Sequence, residues 1–199
     1  MNKQVIKIFQ LSIIPLLKLL LLIVGRRKKI EFQPDKIEGN KTYVIVANHS
    51  GILDPFVICY NLPILVNFKL TPWWSFTKNS FFKNPLLLPF LSLLGCFPAR
   101  KIIGKKSGLE YGLDLIGQGQ NLVIFPEGKI SRFDEKILPR TGVEMLATQP
   151  EVRLIPARVK RIRRRWLLRS YSLSVGLPFD GKNMTAEQIM DVVYSLKFR

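Results

Sequence analysis

The feature that most constrains the fold is a set of short apolar runs that alternate with helical patterns. One of them, residues 42–47, reads Thr-Tyr-Val-Ile-Val-Ala, and another, residues 122–125, reads Leu-Val-Ile-Phe and ends at Pro126. Runs of this length and composition predict buried strands. The four predicted strands are residues 42–47, 122–125, 152–159 and 170–175.

Helical candidates lie between and after these runs. The last has a clear start, because Thr185 can cap it and Glu187 and Gln188 fall in its first turn. Strands that alternate with helices predict an α/β fold, a single layered domain with a mixed sheet flanked by helices. Functional side chains are then expected in loops beyond strand ends. The helical candidates are residues 54–61, 107–118, 142–148 and 185–197.

The N-terminus is unusually apolar. Residues 5–24 hold 15 aliphatic or aromatic side chains in 20 positions, which is long enough to cross a bilayer core. On a helix, four of the polar side chains fall within one arc of roughly 80°, which favours a helix that lies in the interface or dips into one leaflet. A packed core helix is the alternative. The side chains of this arc are Lys3, Lys7, Gln10 and Lys18.

Four adjacent cations, residues 26–29, follow this helix and suit anionic headgroups on the cytoplasmic side. We therefore expect a membrane-binding N-terminal helix with a basic flank, residues 1–29, and one further domain, residues 30–199. A cleaved secretory signal fits poorly, because no small-x-small cleavage site follows and the strong charge lies after the apolar run.

The net charge of +17, from 31 basic and 14 acidic residues, predicts an anionic partner. A hydrophobic fraction of 47% favours a phospholipid surface over a nucleic acid. Residues 158–165 carry six cations in eight positions and suit a second headgroup contact or a solvated basic hairpin. Cys59 and Cys96 show no metal or redox spacing, which is typical of buried thiols in a reducing compartment.

The segment richest in chemistry is residues 48–55, Asn-His-Ser-Gly-Ile-Leu-Asp-Pro, directly after the first predicted strand. His49 is the only histidine of the chain, so any imidazole base must be this residue. If a turn into a helix follows, the Asp54 carboxylate can return to the imidazole, fix its tautomer and stabilise the imidazolium. No serine or cysteine stands in a recognisable nucleophile elbow, so a substrate hydroxyl is the expected nucleophile. A lone histidine that caps a helix or is hydrogen-bonded in a core is the alternative.

A second polar segment, residues 125–132, follows another predicted strand and reads Phe-Pro-Glu-Gly-Lys-Ile-Ser-Arg. Gly128 allows the backbone to approach a ligand closely. Ser131 and Arg132 can donate hydrogen bonds to a phosphate, and Arg132 can do so with two prongs. Glu127 would bind glycerol hydroxyls or hold the loop. An ordinary strand-ending turn with a solvated charge is the alternative.

Together the two segments resemble the glycerolipid acyltransferase family, of the lysophosphatidic acid acyltransferase type. Residues 48–54 match its N-H-x(4)-D motif, residues 125–128 match its F-P-E-G motif, and residues 131–132 stand where the family has S-R. Weaker blocks at residues 95–100 and 154–157 fall in the right order. The resemblance covers about residues 31–180, and the ordered pair of motifs is highly specific.

The resemblance implies acyl transfer without a covalent enzyme intermediate, in an acyltransferase domain of residues 30–199. By residue match, His49 takes the proton of the acceptor hydroxyl and Asp54 orients His49. Arg100 and Arg132 would hold the acceptor phosphate. The residues expected to line the acceptor site are Glu127, Gly128 and Ser131.

The expected acceptor is a lysophospholipid, 1-acylglycerol 3-phosphate, which would give phosphatidic acid. The thioester that supplies the acyl group is either acyl carrier protein or coenzyme A. No cofactor, metal or nucleic acid is expected, and the anionic partner is the cytoplasmic face of the inner (plasma) membrane. The rivals are acylation of another lysolipid and a non-catalytic basic protein that binds membranes or nucleic acid.

Overall fold

The protein was analysed as a computed structural model, which describes residues 2–100, 106–131, 135–162 and 170–198. The strands within these ranges are β1 (Gly25–Ile30), β2 (Thr42–Ala47), β3 (Trp73–Thr77), β4 (Cys96–Pro98), β5 (Asn121–Ile124), β6 (Val152–Ile162) and β7 (Ser170–Val175). The α-helices are α1 (Lys3–Val24), α2 (Asp54–Asn61), α3 (Ile64–Leu70), α4 (Leu88–Leu93), α5 (Gly108–Gly117), α6 (Gly142–Ala147) and α7 (Ala186–Ser195). Two 3₁₀ helices cover Pro34–Lys36 and Asn79–Lys83.

The described strands form one mixed sheet in the order β1-β7-β6-β2-β5-β3-β4. Strands β6, β2, β5, β3 and β4 are mutually parallel, whereas β7 runs antiparallel to β6 and β1 runs parallel to β7. The carboxyl ends of the five parallel strands therefore lie at one edge of the sheet, which is where α/β folds place their sites. The predicted α/β layered domain with a mixed sheet is confirmed.

Strand β2 is at the centre of the molecule because it is buried on both faces. Tyr43 and Ile45 face one core, which α2 covers, and Val44 and Val46 face the other, which α5, α6 and α7 cover. A strand buried on both faces reads as a continuous apolar run rather than an alternating one. This explains why residues 42–47 could be identified from the sequence.

The four predicted strands and four predicted helices all exist, with ends that differ by up to three residues. Three strands were not predicted. Residues 25–30, expected as a headgroup flank, form the edge strand β1, whose Lys28 pairs with Leu173 of β7. A row of cations carries no hydrophobic period, but an edge strand needs only main-chain bonding on one side, and charges are common there. Trp73 and Trp74 begin β3, and both are buried.

The polar arc of α1 faces the rest of the protein. Gln10 is buried, and its side chain donates to Trp73 O and Leu94 O and accepts from Trp73 N–H, all at 2.9 Å. Lys18 Nζ donates to Leu62 O at 2.9 Å, and burial lowers the pKa of this lysine. Two side chains of this arc, Gln10 and Lys18, therefore contact protein main chain.

The opposite face of α1 is apolar and exposed. Ile8, Leu16 and Leu19 each leave more than 60% of their surface open to solvent. Across the described residues, no helix has both the length and the hydropathy of a membrane-spanning segment.

Replacing Gln10 by Ala should lower the free energy of unfolding by roughly 2 kcal/mol, because a buried N–H and two carbonyls lose their partner. Urea unfolding would measure this change. Gln4→Ala is the matched control, since Gln4 is exposed on the same helix, and it should cost less than about 0.5 kcal/mol. Equal stability of the two variants would show that the Gln10 contacts do not hold α1.

Candidate active site

A turn of residues 48–54, here called the histidine turn, leaves the carboxyl end of β2. Asn48 holds its start, because its side-chain amide continues the sheet ladder towards β6. Asn48 Nδ2 donates to Val159 O at 2.9 Å, and Val159 N–H donates to Asn48 Oδ1 at 2.8 Å. The Asn48 amide takes the place of a peptide group, so the main chain can leave the sheet while the Val159 N–H and carbonyl of β6 keep their hydrogen-bond partners.

The expected return of the Asp54 carboxylate to the imidazole is present. Asp54 Oδ2 lies 3.0 Å from His49 Nδ1. The carboxylate is buried, whereas the His49 side chain is 20% exposed and stacks on Phe125 with ring centroids 4.4 Å apart. A carboxylate acceptor at Nδ1 favours the tautomer that is protonated there, which leaves Nε2 as the basic nitrogen. From the described residues, no hydrogen bond reaches Nε2.

Asp54 also shapes the turn, a role that the sequence pattern did not indicate. Its Oδ2 accepts from Ser50 N–H at 2.6 Å and from Gly51 N–H at 2.7 Å. As the first residue of α2, it also lies where the helix dipole favours a negative charge. One carboxylate therefore folds the turn and orients the imidazole at the same time.

A second turn, residues 125–131, here called the glutamate turn, leaves β5 and packs against the histidine turn. Glu127 is buried, and its Oε2 accepts from the main-chain N–H of His49 at 3.0 Å. Its Oε1 accepts a short hydrogen bond from the hydroxyl of Tyr194. Burial raises the pKa of Glu127, while the hydrogen bonds from Tyr194 and His49 N–H act in the opposite direction. Both oxygens are thus engaged within the protein, the arrangement of a residue that holds the loop.

Gly128 and Ser131 fix the path of the glutamate turn. Gly128 has φ of +64°, a backbone conformation that favours glycine. A Cβ there would lie 2.7 Å from Arg140 Nε, so the arginine side chain would have to shift. Ser131 N–H donates to His49 O at 2.7 Å. The Ser131 hydroxyl accepts from Glu135 N–H at 3.1 Å.

Of the two arginines predicted to bind phosphate, the described part of the chain contains Arg100, which it does not bring together with His49. Arg100 follows β4, and its main chain exchanges two 3.0 Å hydrogen bonds with Asn79. Because β4 lies three strands from β2, the two strand ends are roughly 14 Å apart at ordinary strand spacing. Arg132 lies outside the described residues.

Arg161, one cation of the basic run at residues 158–165, reaches the histidine turn from β6. Its Nη1 donates to Ser50 O at 3.0 Å, and its guanidinium lies directly over Gly51. Sequence reasoning treated this run as a headgroup contact and did not connect Arg161 with the turn. Residues 163–165 of the run lie outside the described ranges.

A cavity of about 120 Å³ opens beside the start of α2. Ile52, Pro55 and Phe56 form its wall next to Asp54, and Gln10 brings α1 to its far side. Cys59 and Cys96 also line it, and burial raises the pKa of both thiols. Its lining is mainly apolar, as expected for a site that takes hydrocarbon. In the described ranges, no group of histidine, cysteine and acidic side chains could hold a metal ion.

Residues 29–160 match the Acyltransferase family. The chain is 31% identical over 106 residues to Taffazin of Dictyostelium discoideum, and 33% identical over 96 residues to the Probable 1-acyl-sn-glycerol-3-phosphate acyltransferase of Mycoplasma genitalium. These matches take in 52% and 47% of this chain but only 37% and 35% of the two relatives.

The crystal structure of the 1-acyl-sn-glycerophosphate acyltransferase PlsC from Thermotoga maritima has a similar fold. The TM-score is 0.63 at 18% identity, covering 92% of this chain and 74% of that one. The family match takes in about two thirds of the chain, including both the histidine turn and the glutamate turn. The chain therefore belongs to the Acyltransferase family.

Proposed function

We propose that the protein is an O-acyltransferase that moves a fatty acyl group from a thioester to the free hydroxyl of a lysophospholipid. The observation that carries the proposal is the His49–Asp54 pair, which presents Nε2 of a half-buried imidazole at the carboxyl edge of the sheet. The proposed acceptor is 1-acylglycerol 3-phosphate, and the product is then phosphatidic acid. The name of the Mycoplasma genitalium relative supports this choice.

In the proposed reaction, His49 Nε2 takes the proton of the acceptor hydroxyl while the hydroxyl oxygen attacks the thioester carbonyl. Asp54 stabilises the imidazolium that forms. The carbon–sulfur bond then breaks, and the leaving thiolate receives the proton from His49. Main-chain N–H groups near Gly128 are the proposed hydrogen-bond donors to the tetrahedral oxyanion.

The cavity beside α2 is the proposed site of the acyl chain. Its wall begins at Ile52 and Pro55, which flank Asp54 in the sequence, so a chain bound there would have its carbonyl end near His49. An apolar chain is favoured in such a cavity because its surface leaves water.

The acceptor phosphate is proposed to meet cations at the same edge of the sheet. Arg132 directly follows the glutamate turn and is the first candidate, with Arg100 as the second. Arg161, whose guanidinium lies over the histidine turn, adds positive potential beside the reacting groups. A net charge of +17 suits either thioester source, since both acyl carrier protein and coenzyme A are acidic.

Membrane attachment through α1 is supported by the apolar surface that the fold leaves exposed. Ile8, Leu16 and Leu19 on α1 are exposed, as is Leu86, just before α4. Phe90 of α4 makes an edge-on ring contact with Phe9 of α1, so these elements adjoin. A helix whose polar arc is used by the protein and whose apolar face is open suits insertion into one leaflet. The cytoplasmic face is proposed, because anionic lipids there attract a basic protein.

His49→Ala is the direct test of the proposed function. The variant should lose acyl transfer by at least a hundredfold while remaining folded and bound to vesicles, because no second histidine can take the proton. The assay offers 1-acylglycerol 3-phosphate and other lysolipids, each with acyl carrier protein and coenzyme A thioesters. Turnover by the variant above a tenth of wild type would contradict the mechanism.

Other results of the same assay separate the rivals. Preference of the wild-type protein for a lysolipid without phosphate would replace the acceptor but keep the chemistry. No turnover with any acceptor, together with salt-sensitive binding to DNA or vesicles, would indicate a non-catalytic basic protein.

Asp54→Asn should lower kcat by roughly 10²- to 10⁴-fold and change the acceptor KM little, because the charge that supports the imidazolium is lost. Two main-chain N–H donors also lose a charged acceptor, so the unfolding free energy should fall by roughly 1–3 kcal/mol. Steady-state kinetics and urea unfolding measure the two effects. A raised KM with unchanged kcat would place Asp54 in substrate binding.

The doubly substituted variant Leu16→Glu/Leu19→Glu should bind anionic vesicles at least fivefold more weakly, because two charges replace apolar contacts with lipid. The control is Gln118→Glu/Thr148→Glu, which adds the same charge at exposed positions near the ends of α5 and α6. Co-sedimentation at low salt measures the loss of vesicle binding, and the same measurement at high salt shows how much of the remaining binding is electrostatic. Equal binding by the two variants would show that α1 does not enter the membrane.

A further inference from the structure

The C-terminal helix α7 lies beyond the segment that matches the family, which ends at residue 160. It nevertheless delivers one side chain to the active site. The Tyr194 hydroxyl donates to Glu127 Oε1, and the other oxygen of the same carboxylate, Oε2, accepts from His49 N–H at 3.0 Å. A continuous path of hydrogen bonds therefore joins α7 to the main chain of the histidine.

Tyr194 is itself held firmly. Arg158 of β6 donates to Tyr194 O at 2.8 Å and to Leu196 O at 3.2 Å, at the end of the helix where the dipole favours a cation. The Arg158 guanidinium and Lys136 Nζ lie 5.6 Å and 5.4 Å from the centre of the tyrosine ring. Cations over an aromatic ring are attracted to its π face, which fixes the ring.

We propose that Tyr194 is a positioning residue for acyl transfer. It fixes the rotamer of Glu127, which in turn holds the main chain of His49 and so aims Nε2 at the acceptor hydroxyl. This inference rests on the proposed function. Tyr194 does not touch the substrate in this scheme, so its effect is on the rate of the chemical step rather than on binding.

The physical argument concerns a buried carboxylate. Glu127 is 3% exposed, so an oxygen that loses its protein partner gains none from bulk water. Burial raises the pKa of this carboxyl, and the hydrogen bond from Tyr194 opposes the rise. Without the phenol, the carboxylate is free to rotate away from His49 N–H, and the histidine turn loses one of its two carboxylate anchors.

Tyr194→Phe tests the proposal with the smallest change, since it removes one oxygen and keeps the ring that the two cations contact. The matched control is Tyr111→Phe, because Tyr111 is a part-exposed tyrosine that packs on Trp74 and Phe97, away from the histidine turn. Tyr194→Phe should lower kcat roughly tenfold, as expected for a lost hydrogen bond to a charged group. Both substrate KM values should stay within about twofold, and Tyr111→Phe should match wild type.

Coupling to Glu127 is tested by repeating Tyr194→Phe in a Glu127→Gln background. The glutamine amide has only one oxygen. When that oxygen accepts from His49 N–H, the NH₂ group faces the Tyr194 hydroxyl, so the hydroxyl no longer donates a hydrogen bond to a carboxylate. Tyr194→Phe should then cost less than about twofold further.

The inference is overturned by any of three results. These are an unchanged kcat in Tyr194→Phe, a raised acceptor KM with unchanged kcat, and the same tenfold loss in the Glu127→Gln background. The wild-type rate is measured alongside. If the proposed function is wrong, the wild-type protein shows no acyl transfer, whereas failure of the Tyr194 inference leaves the wild-type rate intact.

Discussion

The candidate active site depends on two buried carboxylates that hold one histidine turn from different sides. The Asp54 carboxylate forms hydrogen bonds with His49 Nδ1 and with two main-chain N–H groups. The Glu127 carboxylate accepts a hydrogen bond from the main-chain N–H of His49. A buried charge is costly unless its lone pairs are filled by hydrogen bonds. Because the same N–H groups that satisfy the carboxylates belong to the histidine turn, burying these charges also determines where the imidazole lies.

The sheet makes this arrangement possible. Strand β2 lies between β6 and β5, so the histidine turn has β6 on one side and the glutamate turn on the other. The longer β6 contributes the ladder to Asn48 and the Arg161 contact to Ser50. On the side of the glutamate turn, Ser131 N–H donates a hydrogen bond to His49 O. Parallel neighbours with carboxyl ends at one edge are the reason that segments distant in sequence meet here.

Helix α1 contributes to packing, and in the proposed function it also binds the membrane. Gln10 joins its polar arc to β3 and to the end of α4, beside the proposed acyl cavity. Its apolar face is exposed at Ile8, Leu16 and Leu19. Exposed apolar surface on a basic protein favours an anionic bilayer as the partner, and the helix would link that bilayer to the wall of the cavity.

The sequence by itself determined the central strands of the sheet and the contact between His49 and Asp54. Strand β2 is recognisable because burial on both faces demands a continuous apolar run, and the five-residue step from His49 to Asp54 spans one turn into a helix. Tertiary structure alone decided the rest. The edge strand β1 is held by main-chain hydrogen bonds, which do not depend on the type of side chain. The local sequence also does not show that the polar arc of α1 faces the protein. Tyr194 reaches Glu127 only because α7 packs over β2 and β6, a contact between residues 67 positions apart that no local periodicity records.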